Sequence, residues 1–207
     1  MTQRRHSISR RLLLQGLFGI PAAGLVGPAI AAEKQVGIVS ETQGEVEAES
    51  NARRRPLAKR SAVFLGDLLR TGSQARLRAL LGRGTKLRLG AKTRVRIDEY
   101  IVNAGGELVL ESGALLLDAP HGSFSQGLRI NSPFALIAVR GTRVFAGRID
   151  GTFGVFVVRG VVDVMGRGKK VRLRSGEGID ISRRGNLSGE VGRWGEPKIA
   201  RAMALVR

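Results

Sequence analysis

The sequence predicts an all-β fold, built as a single domain of many short strands. From Gln35 onward, apolar and polar residues alternate in short runs, and no long helical stripe competes with them. Glycine, serine, asparagine or proline separates the runs, and 29 of the 207 residues are glycine, which is typical of turns between strands. Strands that recur every 8–12 residues or so favour a sandwich or a short β-solenoid, and both architectures produce this alternation.

Twelve runs are the clearest strand candidates. They are Val36–Val39, Leu77–Leu81, Lys86–Leu89, Thr93–Asp98, Glu107–Glu111, Ala114–Asp118, Ala135–Arg140, Thr142–Ile149, Phe153–Val158, Val161–Met165, Lys170–Arg174 and Gly178–Ser182. Only Pro197–Val206 looks helical, because a proline stands near its start and its apolar residues share one face. We therefore assign residues 33–190 to the β domain and residues 191–207 to a C-terminal tail or short helix that packs over the sheet.

Residues 1–32 differ in composition from the rest of the chain and predict a signal peptide. Four arginines precede the uncharged run Leu12–Ala32; they are Arg4, Arg5, Arg10 and Arg11. The sequence Ala29-Ile30-Ala31 suits signal peptidase, so we expect cleavage near Ala31 or Ala32. The alternative is an uncleaved anchor in the inner membrane, since about 20 apolar residues can span a bilayer.

The segment Ser9–Gln15 resembles the twin-arginine export signal. Arg10 and Arg11 take the positions of the two arginines, and Gln15 stands where that signal often has lysine. The resemblance implies that the twin-arginine translocase exports the chain and that most of the protein lies in the bacterial periplasm.

The composition excludes several kinds of chemistry. The chain has no cysteine, which rules out disulfides, thiolate metal sites and a cysteine nucleophile. Beyond the leader His121 is the only histidine, and its neighbours Ser123 and Ser125 are too close along one extended segment to form a reactive pair with it. Glu107 and Glu111 are expected to pair with arginines. We therefore expect no catalytic centre, no cofactor and no metal site, and thus no enzyme.

Three blocks of the sequence, in order, resemble the FecR-type domain, a periplasmic module. The first is Gly66–Gly72, in which Gly66, Asp67, Thr71 and Gly72 match the pattern Gly-Asp-x-Leu-x-Thr-Gly. The second is the strand Leu87–Val95, and the third is Ser132–Ala135 followed by Val139–Val144, in which Arg140, Gly141 and Thr142 match the pattern Val-Arg-Gly-Thr.

The resemblance implies an all-β domain that serves sensing, signalling or scaffolding in the cell envelope without catalysis. Family members that act as anti-sigma regulators carry a cytoplasmic region and a membrane helix ahead of this module. Only 32 residues precede it here, so a stand-alone exported domain that signals through an unidentified envelope protein is expected. We interpret the matching residues first as structural: the Asp67 carboxylate would cap the amides that follow it, and Arg140 would satisfy carbonyls or a carboxylate.

Positive charge is concentrated in one part of the chain. Residues 53–96 contain 14 Lys and Arg and a single acid, Asp67, for a net charge of +13 (14 − 1). Within this stretch, side chains two apart on a strand share a face. A possible anion-binding face therefore comprises Arg76, Arg78, Lys86, Arg88, Arg94 and Arg96. The face is continuous if the three strands are neighbours.

Several partners fit such a face. An anionic envelope polymer, either lipid headgroups or polysaccharide phosphates, would bind by releasing counterions. This defines the alternative function, an electrostatic adaptor. An acidic protein is another candidate, and a merely solvated face that discourages edge pairing is a further interpretation. Nucleic acid is not expected, because the leader removes the chain from the cytoplasm. The oligomeric state is not indicated.

Overall fold

Two nine-stranded β-sheets face each other in the computed structural model, which describes residues 33–82, 84–101, 105–122 and 125–207. The strands are β1 (Gln35–Gln43), β2 (Val46–Ser50), β3 (Arg53–Pro56), β4 (Ala62–Phe64), β5 (Leu68–Thr71), β6 (Arg76–Leu81), β7 (Thr85–Leu89), β8 (Arg94–Ile101), β9 (Gly105–Ser112), β10 (Ala114–Asp118), β11 (Leu128–Asn131), β12 (Leu136–Val139), β13 (Arg143–Ile149), β14 (Thr152–Arg159), β15 (Val161–Gly166), β16 (Lys169–Arg174), β17 (Glu177–Ile181) and β18 (Leu187–Arg193). They are followed by the helix α1 (Glu196–Leu205). The all-β prediction is confirmed.

The chain alternates between the two sheets as it proceeds. Sheet A has the order β18-β17-β14-β13-β10-β7-β6-β1-β4, and sheet B has the order β16-β15-β12-β11-β9-β8-β5-β2-β3. Among the described strands, the pairing is antiparallel throughout except between β9 and β11. Both sheets therefore grow in nearly the order of the sequence. The molecule has the two layers of a sandwich and the linear progression of a solenoid.

The core lies between the sheets. Leu77 and Leu87 of sheet A and Val95, Ile97 and Leu108 of sheet B are fully buried in one continuous apolar cluster. Because side chains alternate along a strand, Leu77, Leu87 and Val95 enter the core while the basic residues on either side of each point outward. Because residues 33–207 form one compact unit with its own core, we expect this part of the chain to fold alone.

A second apolar cluster covers part of the outer face of sheet A. Leu116, Phe145 and Phe156 of the sheet pack against Ala202 and Val206. Trp194, just before the helix, stacks on Phe156 with ring centroids 5.2 Å apart. The predicted C-terminal helix is confirmed, with Pro197 in its first turn. The expected division between residues 190 and 191 falls inside β18.

The edge strand β3, which contains Arg53, Arg54 and Arg55, is not among the twelve runs that the sequence predicts. These residues pair with β2 and form one edge of sheet B. An edge strand needs a hydrogen-bonding partner on one side only, so three exposed or half-exposed arginines and a proline are compatible with it.

No helix within the described ranges is long and apolar enough to cross a membrane. The predicted leader, with Arg10, Arg11 and the cleavage site, lies outside those ranges.

Candidate functional site

The predicted basic face is divided between the two sides of the sandwich. Strands β6 and β7 are neighbours in sheet A, but β8 lies in sheet B beside β5 and β9. Arg94 and Arg96 therefore lie on the opposite outer face from Arg76, Arg78, Lys86 and Arg88. The condition for one continuous face, that the three strands be neighbours, is not met, because the chain crosses to the other sheet between Leu89 and Arg94.

On sheet B, the two arginines of β8 share a carboxylate. Glu111 of β9 lies 3.0 Å from Nη2 of Arg94 and 3.2 Å from Nη2 of Arg96. Glu107 of the same strand pairs with Arg129 at 3.1 Å. Both glutamates thus bind arginines, as the sequence predicted. A single carboxylate therefore serves both Arg94 and Arg96.

On sheet A, the two arginines of β6 are also engaged. Arg78 donates to Oε2 of Glu41 at 2.6 Å, and Arg76 donates to the carbonyl of Ala204 at 3.4 Å. This carbonyl belongs to the last turn of α1, where the partial negative charge of the helix favours a cation. Arg76 therefore helps hold the helix against the sheet.

Arg88 of β7 has a different environment. It is half-buried and lies directly opposite Arg78 in the neighbouring strand. Burial lowers the pKa of Arg88, and the positive charges of Arg78 and Arg143 lower it further. Among the described residues, no acceptor forms a hydrogen bond or ion pair with its guanidinium.

Sequence reasoning missed two more cations on this face. Arg143 begins β13 and lies opposite Asp118 of β10, which in turn lies opposite Lys86. The Asp118 carboxylate pairs with Arg159 at 2.9 Å, while Nε of Arg143 is buried with no partner in the described part of the chain. The alternation Arg143-Val144-Phe145 was the available signal, because it puts Arg143 on the same face as the helix-covered Phe145.

A groove of about 400 Å³ opens on the outer face of sheet B. Arg129, Arg140, Arg172, Asp163 and the exposed Val161 are among the residues that line it. Nε of Arg172 lies 2.8 Å from Asp163, and Nζ of Lys170 lies 3.0 Å from it. These hydrogen bonds lower the pKa of Asp163 to about 2.

Arg140 is exposed in this groove and has no ion pair or hydrogen bond among the described residues. The expectation that it satisfies a carbonyl or carboxylate is not met there. Its guanidinium is available to a partner.

The block Gly66–Gly72 is tied into the fold by its polar side chains. The Asp67 carboxylate is fully buried and accepts from the amide of Phe64 at 2.7 Å and from Nη2 of Arg55 at 2.5 Å. The capped amide precedes Asp67, whereas the sequence predicted amides that follow it. The tight turn at Gly66, with φ of +86°, folds the carboxylate back towards Phe64. Burial raises the pKa of Asp67, and the hydrogen bond from Phe64 and the Arg55 charge oppose that rise.

Thr71 links this block to the crossover between the sheets. Its hydroxyl donates to the carbonyl of Gly90 at 2.6 Å and accepts from the amide of Thr93 at 2.9 Å. The carbonyl of Gly72 accepts a hydrogen bond from the amide of Lys92 at 2.9 Å. These contacts fix the segment that carries the chain from β7 to β8.

The block Val139–Thr142 makes a turn against His121. Gly141 has φ of +64°, and a Cβ there would lie 3.1 Å from Cα of His121 and 3.3 Å from its ring. Thr142 is fully buried, and its carbonyl accepts from the amide of Ala119. Glycine is therefore needed at 141 for both its conformation and the close approach. Ser123 lies outside the described residues.

The described part of the chain contains no cluster of three or more side chains able to hold a metal ion. Its buried carboxylate, Asp67, accepts from Arg55 and Phe64 through Oδ2, while Oδ1 has no hydrogen-bond partner among the described residues. The functional features that remain are the unpaired cations on sheet A and the groove on sheet B.

These features can be set beside known proteins. Residues 67–163 match the protein family described as FecR protein. The FecR match contains most of the block Gly66–Gly72, the segment Leu87–Val95, which spans the end of β7 and the start of β8, and the whole of Val139–Thr142. It therefore supports the FecR-type resemblance on the residues that carried it. No curated protein sequence matches the chain.

Two crystal structures have a similar fold. Both are of a proposed anti-sigma factor from Parabacteroides distasonis ATCC 8503, at 1.65 and 2.50 Å resolution. Their TM-scores are 0.51 and 0.52 at 18% sequence identity, over 62% of this chain. The similar region spans 59% of each solved chain. At this identity the likeness concerns the fold.

Proposed function

We propose that this chain is an exported, non-catalytic FecR-type domain that acts as a binding and signalling module in the bacterial cell envelope. The match of residues 67–163 to the FecR protein family carries the proposal. The similar fold of a proposed anti-sigma factor supports a regulatory role. An all-β sandwich in which the motif residues Asp67 and Thr71 hold the turns of the fold itself is consistent with a domain that binds partners and performs no chemistry.

Export is part of this proposal and rests on residues 1–32. The leader resembles a twin-arginine signal, and cleavage near Ala31 or Ala32 would release the domain into the periplasm. Replacing Arg10 and Arg11 together with lysine keeps the charge but should block the twin-arginine translocase. Cell fractionation should then show the uncleaved precursor in the cytoplasm. Unchanged export of this variant would contradict a twin-arginine route.

The groove on sheet B is the surface that we assign to the protein partner. It is concave, and it combines the exposed Val161 with the unpaired Arg140 next to the turn at Gly141. Arginine is one of the residues that contribute most to binding in protein interfaces. A carboxylate of the partner would form an ion pair with the guanidinium of Arg140.

The test is a pull-down from envelope extract with residues 33–207, run at low and high salt. We expect one defined protein, identified by mass spectrometry, to be retained at both salt concentrations. Arg140→Ala should reduce its retention at least tenfold, as removal of a central interface arginine commonly does. Arg184→Ala, which removes an exposed arginine from the turn before β18, is the matched control. Equal loss in both variants, or no retained protein, would contradict this assignment.

The second candidate function is the electrostatic adaptor. It is favoured by the outer face of sheet A, where Lys86, Arg88 and Arg143 lack carboxylate partners of their own among the described residues. In the same pull-down, retention of anionic lipid or polysaccharide at low salt that vanishes at high salt would support this function.

A further inference from the structure

Five cations lie together on the outer face of sheet A, beside the helix. We name them the sheet A cation cluster: Arg78, Lys86, Arg88, Arg143 and Arg159. The carboxylates of Glu41 and Asp118 pair with Arg78 and Arg159 respectively. Five positive and two negative charges leave a net charge of +3 (5 − 2) on this small area.

The strand register brings the unpaired members close together. Arg88 lies opposite Arg78 across β6 and β7, and Lys86 and Arg143 flank Asp118 on its two neighbouring strands. Directly opposed side chains in antiparallel strands have Cβ atoms about 5 Å apart, where like charges repel. The positive charges of Arg78 and Arg143 act on Arg88, and the carboxylates of Asp118 and Glu41 offset them only in part. An additional anion would relieve the remaining repulsion.

Two donors in the cluster also lack acceptors. Nε of Arg143 is buried and has no partner among the described residues, and the half-buried guanidinium of Arg88 likewise has none. Buried donors in folded proteins are nearly always hydrogen-bonded, so the unpaired Nε of Arg143 calls for an explanation. Arg88 is only partly buried, and its guanidinium lies on the same face. An oxyanion between the two guanidinium groups would supply the missing acceptors and reduce the charge.

A cavity of about 350 Å³ adjoins the cluster. Lys86, Asp118, His121 and Arg159 are among its lining residues. Its volume is within the range of small-molecule sites, and Lys86 and Arg159 belong to both features. The cavity therefore offers space for the organic part of a molecule whose anionic group is held by the cluster.

We propose that Arg88 and Arg143, assisted by Lys86 and Arg78, bind the phosphate group of a phosphate monoester. Guanidinium groups match the oxygens of a phosphate with paired hydrogen bonds. A dianionic phosphate offsets more of the +3 charge than a carboxylate does. This site deepens the adaptor function proposed above and rests on it for its role in the envelope, but phosphate binding itself can be measured separately.

The first test is the thermal unfolding of residues 33–207 in increasing inorganic phosphate, with chloride keeping the ionic strength constant. A ligand at ten times its dissociation constant should raise Tm by about 3–5 °C in a domain of this size. Arg88→Met and Arg143→Met should each lose most of this rise. Arg96→Met removes the same charge from sheet B, where Glu111 pairs with it, and should keep the full rise.

The same variants report whether the fold survives. Without phosphate, Arg88→Met should unfold at the same Tm as the original chain or a higher one, because it removes a half-buried charge that faces Arg78. The proposal is overturned if phosphate raises Tm equally in the original chain and in Arg88→Met, or if it raises Tm in neither.

The second test distinguishes a lipid headgroup from a soluble phosphate. Vesicles containing phosphatidic acid, a phosphate monoester, are compared with vesicles of equal surface charge containing phosphatidylglycerol, a diester. Preferential binding to phosphatidic acid that Arg88→Met abolishes identifies a lipid source. A phosphate-induced rise in Tm without vesicle binding identifies a soluble phosphate. Equal binding to both vesicles that survives Arg88→Met supports the adaptor function but overturns this phosphate site. The site is also overturned if the chain binds an acidic peptide through Arg88 but binds neither phosphate nor phosphatidic acid.

Discussion

The outer faces of the two sheets differ in how their charges are compensated. On sheet B, basic and acidic residues alternate across neighbouring strands, and Glu49, Glu107, Glu111 and Asp163 each pair with at least one basic side chain. On sheet A, the helix covers the aromatic residues Phe145 and Phe156, and the remaining surface carries more cations than carboxylates. On sheet B these carboxylates hold the neighbouring basic side chains and leave Arg140 unpaired in the groove, whereas Arg88 and Arg143 on sheet A have no carboxylate partner among the described residues.

The density of basic residues in the sequence therefore does not show where a binding face lies. Within the stretch 53–96, Arg94 and Arg96 are paired with Glu111, and Arg78 is paired with Glu41. Arg88 and Lys86 keep their charges free, and Arg143, which lies outside that stretch, joins them. What matters is the number of carboxylates on the same face within hydrogen-bonding distance.

The largest expected effect contrasts the covered face with the open one. Phe145→Ala should destabilise the domain by about 4 kcal/mol, because it opens a cavity beneath the helix where Phe145 is fully buried. Val161→Ala on the open face of sheet B should cost about 0.5 kcal/mol, because this side chain is 44% exposed. Urea unfolding measures both. Similar costs would mean that the helix does not cover sheet A in solution.

A smaller effect should follow when sheet B is made to resemble sheet A. Glu111→Gln removes the carboxylate that Arg94 and Arg96 share, and we expect a loss of about 1 kcal/mol because both arginines then repel each other across a partly exposed surface. The control Glu190→Gln makes the same change in charge at an exposed position of β18. If the two variants have the same urea midpoint, the ion pairs on sheet B contribute nothing to stability.

The smallest effect concerns the change in the free energy of unfolding at acidic pH. The hydrogen bonds from Arg172 and Lys170 lower the pKa of Asp163 to about 2, from the 3.8 of an unperturbed aspartate. The Asp163 carboxylate therefore binds a proton less readily in the folded state than in the unfolded state. The resulting stabilisation is complete above pH 3.8 and disappears as the pH falls through about 2. We expect about 0.5 kcal/mol, since solvent screens this pair.

The measurement is the Tm of the original chain and of Asp163→Asn at several pH values between about 5 and about 2. The difference in Tm between the two proteins should shrink as the pH falls. A difference that stays constant over this range would show that the ion pair adds no pH dependence.

Much of the fold follows from local patterns. Each of the twelve candidate runs corresponds to a strand, because period-two alternation over four or more residues fixes which side chains enter a core. Two of the missed strands lack that signal. Strand β4 has three residues, and β3 consists of three arginines and a proline. Their pairing is decided by neighbouring strands, which no local pattern reveals.

The candidate sites were less predictable. Arg88 was identified because it shares a strand face with Lys86, but Arg143 and Arg159 are 55 and 71 residues further along the chain (143 − 88 and 159 − 88). Arg140 was expected to serve the fold through an internal acceptor, yet it points into the groove with no such partner among the described residues. In both cases the missing information was the register between distant strands.

The sequence by itself determined the class of fold, the inward or outward direction of most side chains, the C-terminal helix and the resemblance to the FecR family. Only the tertiary structure decided which sheet each strand joins, and therefore which charges meet. The physical reason is that alternation depends on the geometry of a single strand, whereas ion pairing depends on which strands are neighbours. A chain that crosses between two sheets, as this one does between Leu89 and Arg94, can place adjacent basic segments on opposite sides of the molecule.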